Sequence, residues 1–203
     1  MAATKPLLAA LAAAVFFAPF AAARAAEAAP AAAPPAATVL QVDGITNQVT
    51  DKLWERTDHY WHDGDYNRIV SLLRVVVEAD PTFDEAYSVG AWLLWSMGDK
   101  AAADRFLDHG VKNGKNKWVA HYNFGELLFV RRQFQDAIPH LNASIQFYGA
   151  PAAAWKMLAH SYEKAGNLTK SVELWRTVVK KFPADAAAPR NLARVEKLLE
   201  SRG

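Results

Sequence analysis

A repeat of 34 residues constrains the fold of this chain more than any other feature of its sequence. When the chain is compared with itself at that offset, side chains of one kind fall into columns through four copies without a gap. Two columns hold large apolar residues: Tyr60, Leu94, Leu128 and Tyr162, and Leu73, Leu107, Leu141 and Trp175. Two more hold small or slim ones: Thr57, Ala91, Gly125 and Ala159, and Ile69, Ala103, Ala137 and Ser171. Apolar residues also recur at helical spacing within each copy, so the pattern predicts paired helices that small residues allow to approach closely.

Residues that break helices lie at matching places in the copies. The turn column consists of Gly64, Gly98, Arg132 and Gly166. Glycine there permits the positive φ angle that ends one helix and directs the next. Between copies, Pro81 and Pro183 end helices because proline lacks an amide donor, and Gly114 and Gly149 supply the break in the middle copies. The sequence therefore predicts four helical hairpins.

These breaks fix the predicted helix bounds, including a ninth helix after the fourth hairpin. The predicted ranges are 47–62, 66–79, 84–97, 100–113, 118–131, 134–147, 152–165, 168–181 and 187–201. Pro139 falls inside the sixth helix and should bend it. The ninth helix carries one apolar stripe, formed by Leu192, Val195, Leu198 and Leu199. We expect it to cap the open face of the last hairpin.

This pattern resembles the tetratricopeptide-repeat family, in which a Trp, Leu, Gly/Ala, Tyr helix precedes an Ala, Phe, Ala, Pro helix. The fourth copy matches best, with Trp155, Leu158, Ala159, Tyr162, Ser171, Trp175, Val178 and Pro183 in the eight signature positions. The copies span residues 50–83, 84–117, 118–151 and 152–185. The resemblance implies an all-α fold, a right-handed α-solenoid of four helix-turn-helix hairpins with a capping helix, over residues 47–203. It also implies protein–protein interaction rather than enzyme activity.

The first 25 residues have the layout of a secretory signal peptide. Lys5 precedes an apolar stretch over 7–20, and Ala23-Arg24-Ala25 suits cleavage after Ala25, with cleavage after Ala23 as an alternative. A retained membrane anchor is the other interpretation, but the apolar stretch is interrupted by Pro19 and is shorter than the ~20 residues that span a bilayer. Residues 26–46 form an Ala/Pro-rich linker and lead-in. We therefore expect a bacterial protein exported to the periplasm or medium.

Charge and composition exclude several functional classes. The chain has no cysteine, which excludes disulfides, thiolate catalysis and sulfur-ligated zinc. Removing residues 1–25 takes away Lys5 and Arg24, so the 23 cationic residues fall to 21, equal to the 21 anionic ones. A neutral chain lacks the basic surface that nucleic acid requires. Nucleic acid is therefore not an expected partner, and neither is stable membrane insertion after cleavage.

Two motifs suggest chemistry but do not support it. His59 and His62 lie three residues apart with Asp63 and Asp65 close by, yet no third ligand is fixed by spacing, so we expect no metal. Residues 110–115 resemble a phosphate loop but lack its full glycine spacing and its Ser or Thr. No acid or base is joined by pattern to a nucleophile. The sequence predicts neither an enzyme nor a cofactor.

The candidate binding residues lie on the first helix of each hairpin, which the resemblance places on the concave side of the solenoid. They are Trp54, Asp58, Trp61, Glu85, Trp92, Trp95, Tyr122, Glu126 and Phe129. In the fourth copy the same positions hold Lys156, His160 and Glu163. Large rings beside carboxylates predict a groove for a protein segment with apolar residues and an occasional Lys or Arg.

Several alternatives remain open at this stage. Trp61, Trp95 and Phe129 could belong to the packing between hairpins, and residues 39–45 could cover the tryptophans. Well-known family members bind a C-terminal carboxylate through lysines and asparagines, which the matching positions here lack. The leading hypothesis is an adaptor that binds a peptide or helix of another envelope protein. The alternatives are a self-associating scaffold and a binder of small ligands or cell-wall fragments.

Overall fold

The computed structural model describes the backbone of residues 37–202 and the side chains of residues 46–202. Over that range the chain forms nine α-helices and no strand. They are α1 Ala37–His62, α2 Tyr66–Ala79, α3 Asp84–Ser96, α4 Lys100–Asn113, α5 Lys117–Val130, α6 Phe134–Gln146, α7 Ala152–Lys164, α8 Leu168–Lys181 and α9 Ala188–Glu200. The predicted all-α repeat fold is confirmed. The predicted signal peptide lies outside the described residues.

Helix α1 differs from its predicted bounds, because it begins at Ala37 rather than near residue 47. The last proline of the linker is Pro35, and the residues after it carry no helix breaker except Gly44. Extending a helix that already exists costs less than nucleating one, so α1 continues toward the proline-rich segment. The side chains of residues 39–45 lie outside the described part of the chain. The alternative that these residues cover the tryptophans therefore stays a prediction.

The helices pack as successive hairpins within the compact unit of residues 46–203. Each helix from α2 onward contacts the next, and the first helices α3, α5 and α7 also contact one another in order. The column of Leu73, Leu107, Leu141 and Trp175 is completely or almost completely buried. A Cβ atom on Gly125 would lie 2.5 Å from Cγ of Leu141, so only glycine allows this approach of α5 to α6. The predicted packing columns are confirmed.

The turn column adopts one backbone conformation in all four hairpins. The φ angles are 72° at Gly64, 97° at Gly98, 64° at Arg132 and 88° at Gly166. The sequence prediction is confirmed even at Arg132, where a side chain makes this conformation unfavourable. The residue that follows caps the next helix in three of the four turns. Asp65, Asp99 and Asn167 accept a hydrogen bond from the third amide of their helices.

The last two helices close the repeat. Val195 of α9 is fully buried, and Leu192, Leu198 and Leu199 pack partly buried against the cluster around Trp175. The predicted capping helix is thereby confirmed. Pro139 stays exposed inside α6, which continues past it. In the part of the chain that the structure describes, no helix is both long and apolar enough to cross a membrane.

Candidate protein-binding face

The nine predicted binding residues all lie on α1, α3 and α5, the first helices of hairpins one to three. We call this set the first-helix face. Its six aromatic side chains are partly buried rather than broadly exposed. Partial burial holds a ring in one orientation while leaving an edge or face accessible, which lowers the entropy lost when a partner binds.

Two tryptophans of α1 contact aromatic rings in or next to the neighbouring helices. Trp61 stacks on Trp92 of α3 with ring centroids 6.3 Å apart. Trp61 also forms a T-shaped contact with Tyr66 of α2, with ring centroids 5.5 Å apart. Trp54 lies 5.1 Å from Phe83 at the start of α3. These tryptophans therefore contribute to the packing between hairpins one and two as well as to the first-helix face.

Trp95 contacts a buried arginine, Arg131, that was not predicted from the sequence. The guanidinium carbon of Arg131 lies 5.9 Å from the centroid of the Trp95 ring. The Arg131 side chain is only 3% exposed and forms an ion pair with Asp104 of α4. Its Nε and Nη2 atoms are buried without a hydrogen-bond partner among the described residues. Cation–π contact and ion pair together tie α3, α4 and α5 at one point.

Tyr122 and Glu126 form a coupled polar pair on α5. The Tyr122 hydroxyl donates to Oε1 of Glu126 at 3.0 Å. Burial raises the pKa of the Glu126 carboxyl, and it also raises the pKa of Tyr122. A carboxylate with little water around it interacts strongly with a cation that reaches it, because the effective dielectric is low. Phe129, one turn further on, packs edge-on against Phe134 at 5.2 Å.

The other two acidic residues differ in exposure. The Asp58 side chain is 81% exposed and faces His62 at 3.7 Å. Glu85 is partly buried, in the first turn of α3. His59 lies 3.5 Å from Asp63, and across residues 46–202 no group of three or more His, Asp or Glu side chains is arranged to hold a metal. Asp58 and Glu85 thus lie on the same helices as the rings of Trp61 and Trp92.

In the fourth hairpin the corresponding positions contact the C-terminal part of the chain. Arg194 of α9 donates two hydrogen bonds to Glu163, at 2.6 and 2.7 Å, and the Glu163 side chain is 9% exposed. Lys156 pairs with Asp185 at 2.7 Å. His160 lies edge-on to Trp175 at 4.9 Å. Lys156 and Glu163 are therefore paired within the chain, and the candidate binding surface is confined to hairpins one to three.

Neither protein-family models nor curated proteins match this sequence. Solved structures do match its fold. A crystal structure of MamA protein has a TM-score of 0.56 at 20% identity, over 74% of this chain and 82% of that one. Pseudomonas aeruginosa PilF has a TM-score of 0.58 at 15% identity, over 77% and 71%. YrrB, described as a TPR protein with an unusual peptide-binding site, has 0.52 at 16%, over 71% and 75%. The chain therefore has the tetratricopeptide-repeat fold.

Proposed function

We propose that this tetratricopeptide-repeat chain is an exported adaptor that binds a segment of another envelope protein on its first-helix face. The observation that carries the proposal is the placement of Asp58, Glu85 and Glu126 on the same three helices as the partly buried rings. Tryptophan and tyrosine offer much contact area with few rotors to immobilise. The description of YrrB as peptide-binding shows that this fold serves such a role in another protein.

The ligand that suits this face combines apolar side chains with Lys or Arg. Apolar groups bind against the outward parts of the Trp92 and Trp95 rings, and a cation pairs with Glu126 or Asp58. A C-terminal carboxylate is a poor ligand, since acidic side chains would repel it. Because α9 and the residues before it occupy the fourth hairpin, the ligand spans three hairpins.

Export and the absence of catalysis belong to the same proposal. The layout of residues 1–25 supports passage into the periplasm. The sequence pattern joins no acid or base to a nucleophile, which supports a binding role rather than an enzymatic one. The protein then acts by holding its partner in the envelope.

Photo-cross-linking in intact cells tests the proposal. A photoreactive residue is placed at Trp92, and a matched control is placed at Val75, which is 53% exposed on α2. We expect a discrete cross-linked partner from position 92 that is lost when Asp58→Lys is added, because Asp58 is exposed and its reversal leaves the core intact. Equal products from positions 75 and 92 would contradict the proposal. A product with a second copy of this chain would instead support the scaffold hypothesis.

A further inference from the structure

Two histidines share a partly buried aromatic site inside the third hairpin. His121 of α5 and His140 of α6 have ring centroids 5.7 Å apart. Phe124 lies 4.0 Å from His140, and Phe147 stacks on His121 at 6.1 Å. Both Nδ1 atoms are buried and lack a hydrogen-bond partner among the residues with described side chains. Neither Nδ1 atom therefore has an acceptor among these residues that would stabilise a protonated ring.

The surrounding charges do not offset this burial. Burial lowers the pKa of both imidazoles, Lys117 of α5 lowers that of His121 further, and His121 lowers that of His140. Asp104 and Asp108 of α4 act in the opposite direction on His140, but burial prevails. Both carboxylates already have cationic partners, Arg131 and Lys112. Within the described residues, α6 and α7 add no charged group that shifts the pKa of either ring.

We propose that the third hairpin is an acid-sensitive element, in which protonation of His121 and His140 at acidic pH loosens the packing of α5 on α6. Two adjacent cations in one apolar site repel each other and lose hydration. Protonation therefore stabilises the open hairpin relative to the packed one. Helix α5 also carries Tyr122, Glu126 and Phe129. Acidification would therefore weaken the binding of a partner on the first-helix face. That consequence rests on the proposed function, whereas the loosening of α5 and α6 does not.

The expected direction follows from proton binding. A histidine whose pKa is lower in the folded chain than its unfolded value of about 6.5 stabilises the fold above that value, and the contribution is lost as pH falls. Each imidazole that stays neutral at pH 5.5 changes the opening equilibrium by about tenfold relative to pH 7.5. His160 behaves similarly in the fourth hairpin, since burial lowers its pKa too, so the readout must resolve individual helices.

Hydrogen exchange of the full chain at pH 7.5 and 5.5, corrected for intrinsic exchange rates, tests the inference without any partner. We expect protection in α5 and α6 to fall about tenfold or more at pH 5.5, whereas protection in α2 and α3 should not fall. The variant His121→Gln with His140→Gln should abolish this difference. His59→Gln with His62→Gln, a pair that is exposed in α1, should leave it unchanged.

A second measurement keeps the inference testable if the double variant does not fold. NMR titration of the imidazoles in the unsubstituted chain should place the pKa of both His121 and His140 below the unfolded value of about 6.5. Values at or above 6.5, or unchanged protection of α5 and α6 at pH 5.5, would overturn the inference. Because no partner is present, neither result bears on the proposed binding.

Discussion

Arg132 is the one non-glycine residue with a positive φ angle in the described part of the chain. The left-handed conformation costs a side-chain-bearing residue about 1 kcal/mol relative to glycine. We predict that Arg132→Gly raises the free energy of unfolding by about 0.5–1 kcal/mol, measured by urea denaturation. The matched control is Gly98→Ala in the preceding hairpin, which should lower it by a similar amount. A change of the same sign in both variants would contradict the role given to the positive φ angle in the turn column.

Asp84, in the first turn of α3, has an unusual carboxyl. Burial raises its pKa to about 7, against the hydrogen bond from Asn116 that favours the charged form. A group with a raised pKa stabilises the fold at low pH, and this contribution is lost as pH rises from about 4 through 7. We predict that Asp84→Asn stabilises the chain by about 1–2 kcal/mol at pH 8, allowing for its partial exposure, and has little effect at pH 4.

Denaturation curves at both pH values measure this effect. Glu85→Gln, at the next position in the first turn of α3, serves as the comparison. A stabilisation at pH 4 as large as that at pH 8 would show that the carboxyl of Asp84 does not titrate in this range.

Two neighbouring arginines show which local features the sequence could predict and which it could not. The positive φ angle at Arg132 could be predicted, because the column at 34-residue spacing contains three glycines. The burial of its neighbour Arg131 could not, because two adjacent arginines in a turn suggest solvation. Only tertiary packing brings Trp95 and Asp104 to Arg131. The pairing of His121 with His140 depends in the same way on the packing of α5 against α6.

At the scale of elements, α6 lacks the cap that the corresponding helices have. Asp65, Asp99 and Asn167 accept a backbone hydrogen bond, but Gln133 makes no such cap. A side-chain oxygen at this position is worth about 1 kcal/mol. We predict that Gln133→Asp raises the unfolding free energy by about that amount, and that Asp99→Ala lowers it comparably. Thermal unfolding monitored by circular dichroism measures both, and a destabilising Gln133→Asp would contradict the capping argument.

Helix α9 is joined to α7 by an ion pair between Arg194 and the largely buried Glu163. Arg194 holds the pKa of Glu163 below its usual range through their hydrogen bonds, so this stabilisation is present at neutral pH and lost as pH falls. We predict that Arg194→Glu lowers the unfolding free energy by about 1–3 kcal/mol at pH 7 and raises hydrogen exchange in α9.

Two further variants test this pairing. Arg190→Glu, an exposed change on the same helix, should cost much less. Adding Glu163→Arg to Arg194→Glu should restore part of the loss. If the reversed pair were no more stable than the single variant, the ion pair would not contribute to holding α9 against α7.

Most helices could be predicted because their breakers repeat. The bounds of α2, α4 and α8 are as predicted, and those of α3, α5, α6, α7 and α9 differ by one residue at one or both ends. The start of α1 could not be placed, since an alanine-rich lead-in favours a helix as readily as a linker. The role of the fourth hairpin was also missed, because the contact of Arg194 with Glu163 joins residues 31 positions apart with no shared column.

For the whole molecule, the phase of the repeat explains both the packing and the candidate face. The columns that face inward leave the same helix positions over in every hairpin, and hairpins one to three fill them with rings and carboxylates. In the fourth hairpin two of those positions hold Lys156 and Glu163, which pair with Asp185 and with Arg194 of α9. The fold was therefore predictable from periodicity, whereas the extent of the face required the structure.

Hydrogen exchange of the chain bound to the partner segment identified by cross-linking tests the central claim most directly. We predict added protection in α1, α3 and α5 on binding, with α2, α4 and α6 to α9 unchanged, and weaker binding at higher salt because of the acidic side chains. Protection confined to α2, α4 and α6, or to α7 to α9, would contradict the claim that the first-helix face is the binding surface.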